Sequence, residues 1–224
     1  MRVLLVAAVT LLTVSPIRAQ KTLSFPTEDG GLIYADLYGQ GDRAVLLAHG
    51  GQFNKESWEK QARILADAGF RVMAIDFRGY GKSHGPGDTD VMSAPLQLDV
   101  LAGVHYLRSA GAKTVSIVGA SLGGGAAGDA SIASPPGLID RIVFLGSSPN
   151  GSADKLHSAS LFIVARDDAD ATELRLPGIR AQYEKAPKPK RLVVVDGSAH
   201  AQFLFQTDQS ERVMQEILRF LQQK

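Results

Sequence analysis

Two patterns in this 224-residue sequence predict an α/β domain built on a mostly parallel sheet. From Ala44 onward, short continuous apolar runs alternate with amphipathic helical segments, the order that lays parallel strands between covering helices. Before Ala44, two alternating segments flank Glu28-Asp29-Gly30-Gly31, whose turn chemistry makes an antiparallel hairpin. The expected architecture is therefore an N-terminal antiparallel hairpin joined to a mostly parallel central sheet, with helices on both faces.

Each element has a local reason. Residues 22–25 and 32–38 alternate apolar and polar side chains, as strands with one face in the core do. Residues 44–48 form an unbroken apolar run, as a strand buried on both faces would. Trp58, Ala62, Leu65 and Gly69 are spaced four, three and four, which predicts an amphipathic helix over 57–68 with Ser57 or Asn54 near its cap. Residues 72–75 are the next buried strand, followed by the turn-rich stretch 76–87. Leu96, Val100, Val104 and Leu107 keep helical spacing to about residue 109, where Gly111 stops the helix. Val115, Ile117 and Val118 mark a strand that runs straight into Gly119-Ala120-Ser121-Leu122-Gly123 and a small-residue helix. Residues 141–145 and 160–165 are two further strands, separated by a short polar loop. A helix over 177–185, with Pro177 in its first turn, precedes the strand 191–195. Val213, Met214, Ile217, Phe220 and Leu221 form the apolar face of a closing helix.

The length suits one domain with a full core. With 24 basic against 23 acidic residues there is no electrostatic footprint for nucleic acid or an anionic membrane, which favours a neutral, small-molecule substrate. Residues 1–19 combine Arg2, an apolar run from Val3 to Leu12 and Ile17-Arg18-Ala19, and read as a secretory signal peptide cleaved after Ala19. The run is too short to span a bilayer comfortably, so no stable membrane span is expected after cleavage; a retained anchor or a buried first element is the competing reading. Residues 20–224 would then be a single secreted or periplasmic domain, with 22 basic and 23 acidic residues once Arg2 and Arg18 are removed. The absence of cysteine excludes disulfides, thiolate catalysis and a lipidated N-terminal Cys.

The strand, sharp turn and helix around Ser121 form a G-x-S-x-G context that presents a serine at a turn. A serine hydroxyl is a poor nucleophile at neutral pH and needs a base, which in turn needs a partner to hold its tautomer. His200, in the Asp196-Gly197-Ser198-Ala199-His200 loop after a strand, is placed to be that base. His105 lies mid-helix, His84 and His157 fall in polar loops, and His49 precedes a double glycine where it would shape a loop. The acid is one of three carboxylates in Arg166-Asp167-Asp168-Ala169-Asp170; Asp168 is preferred, with Asp167 and Asp170 open as solvated or capping residues. Acyl transfer also requires backbone donors aimed at an oxyanion. Leu122, next after the serine, supplies one, and the loop His49-Gly50-Gly51-Gln52 supplies the other, from Gly51 ahead of Gln52. No metal or cofactor is expected: there is no paired-His motif, and Gly123-Gly124-Gly125 lacks the lysine of a P-loop.

In this order, HGGQFNKESW, AIDFRGYGKS, GASLGG, ARDDAD and GSAH make the chain resemble the α/β-hydrolase superfamily over about residues 22–223. The resemblance implies the α/β-hydrolase fold, a Ser121-Asp168-His200 triad and an oxyanion hole from the Gly51 and Leu122 amides. The acid loop carries Ala165 where many relatives carry Gly. The segment between the strands at 141 and 160 is too short for the helical cap that many relatives insert, so the expected site is open and shallow. The expected activity is serine hydrolysis of small or extended esters through an acyl-enzyme on Ser121. The same triad serves peptidases, amidases and acyltransferases, and a binding protein on a hydrolase scaffold is a third reading.

Overall fold

The computed structural model describes residues 20–87 and 90–223. The predicted signal segment, residues 1–19, lies outside them. At the centre is an eight-stranded sheet of β1 (Lys21–Pro26), β2 (Leu32–Tyr38), β3 (Arg43–Ala48), β4 (Arg71–Ile75), β5 (Thr114–Ala120), β6 (Arg141–Leu145), β7 (Ala159–Ala165) and β8 (Lys190–Val195), in the order β1-β2-β4-β3-β5-β6-β7-β8. β1 and β2 pair antiparallel, β2 is antiparallel to β4, and every other neighbouring pair is parallel. The hairpin closes as its glycine-rich turn demands: the Thr27 N–H donates to the Gly31 carbonyl at 2.9 Å, and Gly30 adopts a φ of +88°.

Successive side chains of the parallel strands enter opposite cores. Leu46 of β3, Ile117 of β5, Phe144 of β6 and Phe162 of β7 pack toward α2 (Leu96–Ser109), α3 (Leu122–Ala133) and α4 (Arg175–Lys185). Val45, Leu47, Val118, Val143, Leu161 and Ile163 meet α1 (Glu59–Asp67) and α5 (Ser210–Leu221) on the other face. With both faces covered, the strands carry the near-continuous apolar runs from which they were expected.

Two details differ from or extend the sequence reading. The first helical segment opens as a 3-10 turn, Lys55–Trp58, capped by Asn54, whose Oδ1 accepts the Ser57 N–H at 3.1 Å. The Ser57 hydroxyl instead donates to the Asn54 carbonyl. A 3-10 helix, Ala201–Gln206, also lies between β8 and α5 where no element was expected. Between β6 and β7, residues 146–158 hold only the short 3-10 turn Ala153–Lys155. Among the described residues no helix is long and apolar enough to cross a membrane.

The loops leaving the carboxyl ends of β3, β5, β7 and β8 gather on one edge of the sheet, where α/β sheets hold ligands.

Candidate active site

β5 delivers Ser121 into a turn with φ 49° and ψ −115°. Backbone of that kind costs a non-glycine residue about 1–3 kcal/mol and persists only where its surroundings enforce it. Here the Ser121 N–H donates to the Leu145 carbonyl of β6 at 3.0 Å, and the Ser121 carbonyl accepts from the Gly124 N–H at 2.9 Å. Close packing explains the glycines of the motif. A Cβ on Gly119 would lie 2.6 Å from the Gly123 carbonyl oxygen, and one on Gly123 would lie 2.3 Å from that of Ala48. The elbow therefore rests directly on the end of β3.

The structure brings Ser121, His200 and Asp168 together from three separate loops. His200 Nε2 lies 2.8 Å from Ser121 Oγ, and Nδ1 lies 3.0 and 2.9 Å from the two Asp168 carboxylate oxygens. An ionised carboxylate can only accept, so Nδ1 carries the proton and Nε2 is left to accept from the serine hydroxyl. Asp168 has no solvent exposure, which keeps this hydrogen bond out of competition with water.

The other two acidic candidates point elsewhere. Asp167 is exposed, and its backbone N–H donates to the Gly197 carbonyl at 3.0 Å. Asp170 closes a local turn: its Oδ1 accepts from the Thr172 N–H at 2.9 Å, the Thr172 hydroxyl at 2.7 Å and the Glu173 N–H at 3.1 Å. Hydrogen bonds to the charged form, first from the Thr172 backbone and side chain and then from the Glu173 backbone, hold this carboxyl down at about 2. Arg175, which the sequence did not single out, starts α4 beside both; its Nε stands 3.5 Å from Asp168 and its Nη2 3.7 Å from Asp170.

The loop after β3 is held from behind by His49. Its Nδ1 donates to the Gly50 carbonyl at 2.9 Å, and its Nε2 accepts from the Phe77 N–H at 3.2 Å. Accepting at Nε2 requires a neutral ring, and burial lowers the pKa of this imidazole below its usual value. His49 thus shapes the loop, as expected. The Tyr80 hydroxyl donates to the Gly51 carbonyl at 2.8 Å, and the Tyr80 ring packs edge-on against His49. Gly51 and Leu122 both line the cavity that contains Ser121, whereas the exposed Gln52 does not. Among the described residues neither the Gly51 nor the Leu122 N–H is taken by a protein acceptor. Those amides are free for a ligand oxygen.

The cavity measures about 490 Å³ and is open to solvent. Leu122, Pro149, Leu174 and Ile179 give it apolar wall, while Ser147, Ser148, Asn150, Asp170, Glu173 and Arg175 give it polar edge. Among the described residues the large hydrophobic side chains that stand exposed are Met92, at 78%, and Leu174, at 49%, and both line this cavity. No group of three or more His, Asp or Glu side chains among the described residues is arranged to hold a metal ion.

A family model described as the alpha/beta hydrolase fold matches residues 43–188. A putative non-heme chloroperoxidase of Synechocystis sp. is 43% identical over 67 residues, which are 29% of this chain and 24% of that protein. A non-heme haloperoxidase of Rhodococcus erythropolis is 32% identical over 124 residues, 54% of this chain and 42% of that protein. The chain thus spans less than half the length of each of these relatives. An esterase of Pyrococcus furiosus shares the fold at a TM-score of 0.75 and 20% identity, over 91% of this chain and 90% of that one.

Proposed function

The chain belongs to the α/β-hydrolase fold family, and on that premise we propose that it is a serine hydrolase cleaving small or extended esters through an acyl-enzyme on Ser121. The contact that carries this reading is the 2.8 Å approach of His200 Nε2 to Ser121 Oγ, backed by the buried Asp168 on Nδ1. In the first half-reaction Ser121 Oγ bonds to the ester carbonyl carbon as its proton passes to His200 Nε2. The resulting oxyanion faces the Gly51 and Leu122 N–H groups, which need no reorganisation to receive it. Collapse breaks the bond to the leaving alkoxide, which takes the proton from His200. A water then gives its proton to His200 while attacking the acyl carbon, and the second collapse returns the proton to Ser121 with release of the acid.

Substrate size follows from the walls. An open cavity of about 490 Å³, with no helix over it among the described residues, buries a short acyl group or a stretch of an extended chain, and not a long fatty tail. The exposed Met92 and Leu174 side chains favour an apolar group there. The signal reading of residues 1–19 places the action outside the cytoplasm, in the periplasm or the medium, with a mature chain that begins at Gln20.

The test is turnover of p-nitrophenyl esters graded by acyl length, compared with matched amides. Ser121→Ala is expected to lower turnover of the acetate by about 10⁴-fold or more, and a fluorophosphonate probe is expected to label the wild-type chain at Ser121 alone. Wild-type turnover by S121A would remove the mechanism, and preference for the amide would reassign the reaction.

A further inference from the structure

Gln202 is buried, at 4% exposure, and both ends of its amide are used. Its Oε1 accepts the Gly50 N–H at 3.0 Å, and its Nε2 donates to Ser57 Oγ at 2.7 Å. It stands two residues beyond His200, next to Ala201, which holds a left-handed φ of 51°. One side chain from the base loop therefore reaches into the loop that carries Gly51 and into the 3-10 turn beyond it.

Gly50 is where this reach has consequence. A glycine has no side chain to limit its backbone and visits more conformations than any other residue. At Gly50 three hydrogen bonds replace that missing restraint. The carbonyl accepts from the Phe53 N–H at 2.9 Å and from His49 Nδ1 at 2.9 Å, and the N–H is held by Gln202. A planar trans peptide sends the Gly51 N–H opposite to the Gly50 carbonyl, so fixing Gly50 fixes the direction of the Gly51 donor.

Resting on the reading of Ser121 as the nucleophile, we infer that Gln202 is a positioning residue: it sets the Gly51 oxyanion donor and ties it to the loop of the His200 base. It touches neither substrate nor reacting atoms and acts only through Gly50. Its effect is on the transition state, where the oxyanion exists, and not on substrate binding or on the His200 proton.

Three variants, read by steady-state kinetics and by amide exchange, test it. Gln202→Leu removes both hydrogen bonds at similar volume. It is expected to lower kcat on p-nitrophenyl acetate by about 30–100-fold, short of the full loss of an oxyanion donor. KM and the midpoint of the acidic limb of the pH–rate profile should stay at wild-type values. Backbone amide exchange at Gly50, read by NMR, is expected to quicken at least about tenfold as its buried acceptor is lost. Gln202→Glu keeps an oxygen toward Gly50 and is expected to recover slow exchange and most of kcat. Ser57→Ala, which leaves the Gly50 contact but frees the other end of the amide, gives a smaller change in both readouts and serves if Q202L does not fold. Gly50 exchange and kcat both within about twofold of wild type in Q202L overturn the inference; in its absence, unchanged exchange in S57A does so. A general loss of packing would lower kcat in Q202E as much as in Q202L, which also overturns it. Undiminished turnover by S121A would sink the hydrolase reading separately, since Gly50 exchange is read without turnover.

Discussion

Gly123→Ala sets two effects of opposite sign against each other. Gly123 is the second residue of α3, and an alanine in a helix is favoured over glycine by at most about 1 kcal/mol. The added Cβ would lie 2.3 Å from the Ala48 carbonyl oxygen, 2.6 Å from its carbonyl carbon and 2.7 Å from the His49 oxygen. Carbon contacts are comfortable only near about 3.5 Å, so the elbow and the end of β3 must part by roughly 1 Å. All three obstacles are backbone atoms, and no rotamer change relieves them. Overpacking costs about 1–3 kcal/mol, and a rigid obstacle puts this case at the upper end. The net loss is then about 2 kcal/mol, a fall in Tm of about 4–8 °C for a chain of this size. Activity should suffer more, because the shift separates Gly51 from Ser121 and a 1 Å misplacement costs about 10²-fold. Gly178→Ala is the control: Gly178 lies in α4 with nothing within 4 Å of a new Cβ, so it should gain only helix propensity and raise Tm by about 2–4 °C. Thermal melts and kcat/KM on p-nitrophenyl acetate decide the matter. If G123A melts at or above wild type with turnover within about twofold, the contact argument is refuted.

Two further outcomes follow from the site. Asp168→Asn should leave the fold in place but lower kcat by about 10³–10⁴-fold through loss of the His200 tautomer, while Asp167→Asn, at the exposed neighbour, should keep wild-type kcat; the reverse ranking would exchange their roles. His49 carries a pH signature in stability. Its folded pKa is depressed by burial below the usual 6.5, so the stabilisation it gives is complete above about pH 6.5 and is lost as pH falls through that value toward the folded one. Urea midpoints measured from pH 8 to pH 5 should therefore fall more steeply for wild type than for His49→Gln, and equal slopes would contradict a buried neutral imidazole.

The fold was legible because the inner parallel strands β3 to β7 are covered on both faces and so announce themselves as apolar runs, as in residues 44–48 and 142–145. The elbow was legible because a strained turn admits only glycine where Gly119 and Gly123 meet backbone. Asp168 could be preferred but not isolated, since its two neighbours are also carboxylates; what separates them is burial of one and local turn bonding of another, which are three-dimensional facts. Gln202 and Arg175 carried no local signal. Gln202 bonds to Gly50, 152 residues away along the chain, and a lone glutamine in a short 3-10 turn has no periodicity or spacing to betray such a partner. The 3-10 helix at Ala201–Gln206 was hidden for a related reason, because its start depends on a left-handed alanine that no propensity favours.

The place of β8 in the sheet has a consequence for when the protein becomes competent. Among the described residues β8 is an edge strand that pairs only with β7, from Ser160 opposite Lys190 to Ala165 opposite Val195, and the loop that follows it carries His200. Ser121 meets that histidine across 79 residues of chain. During synthesis Ser121, its strained elbow and the Gly51 loop all emerge before this strand. A chain stalled before β8 has docked lacks the His200 contact to Ser121. The proposed triad is thus complete only when β8 is in place at the sheet edge, because that strand fixes the loop from which His200 reaches Ser121.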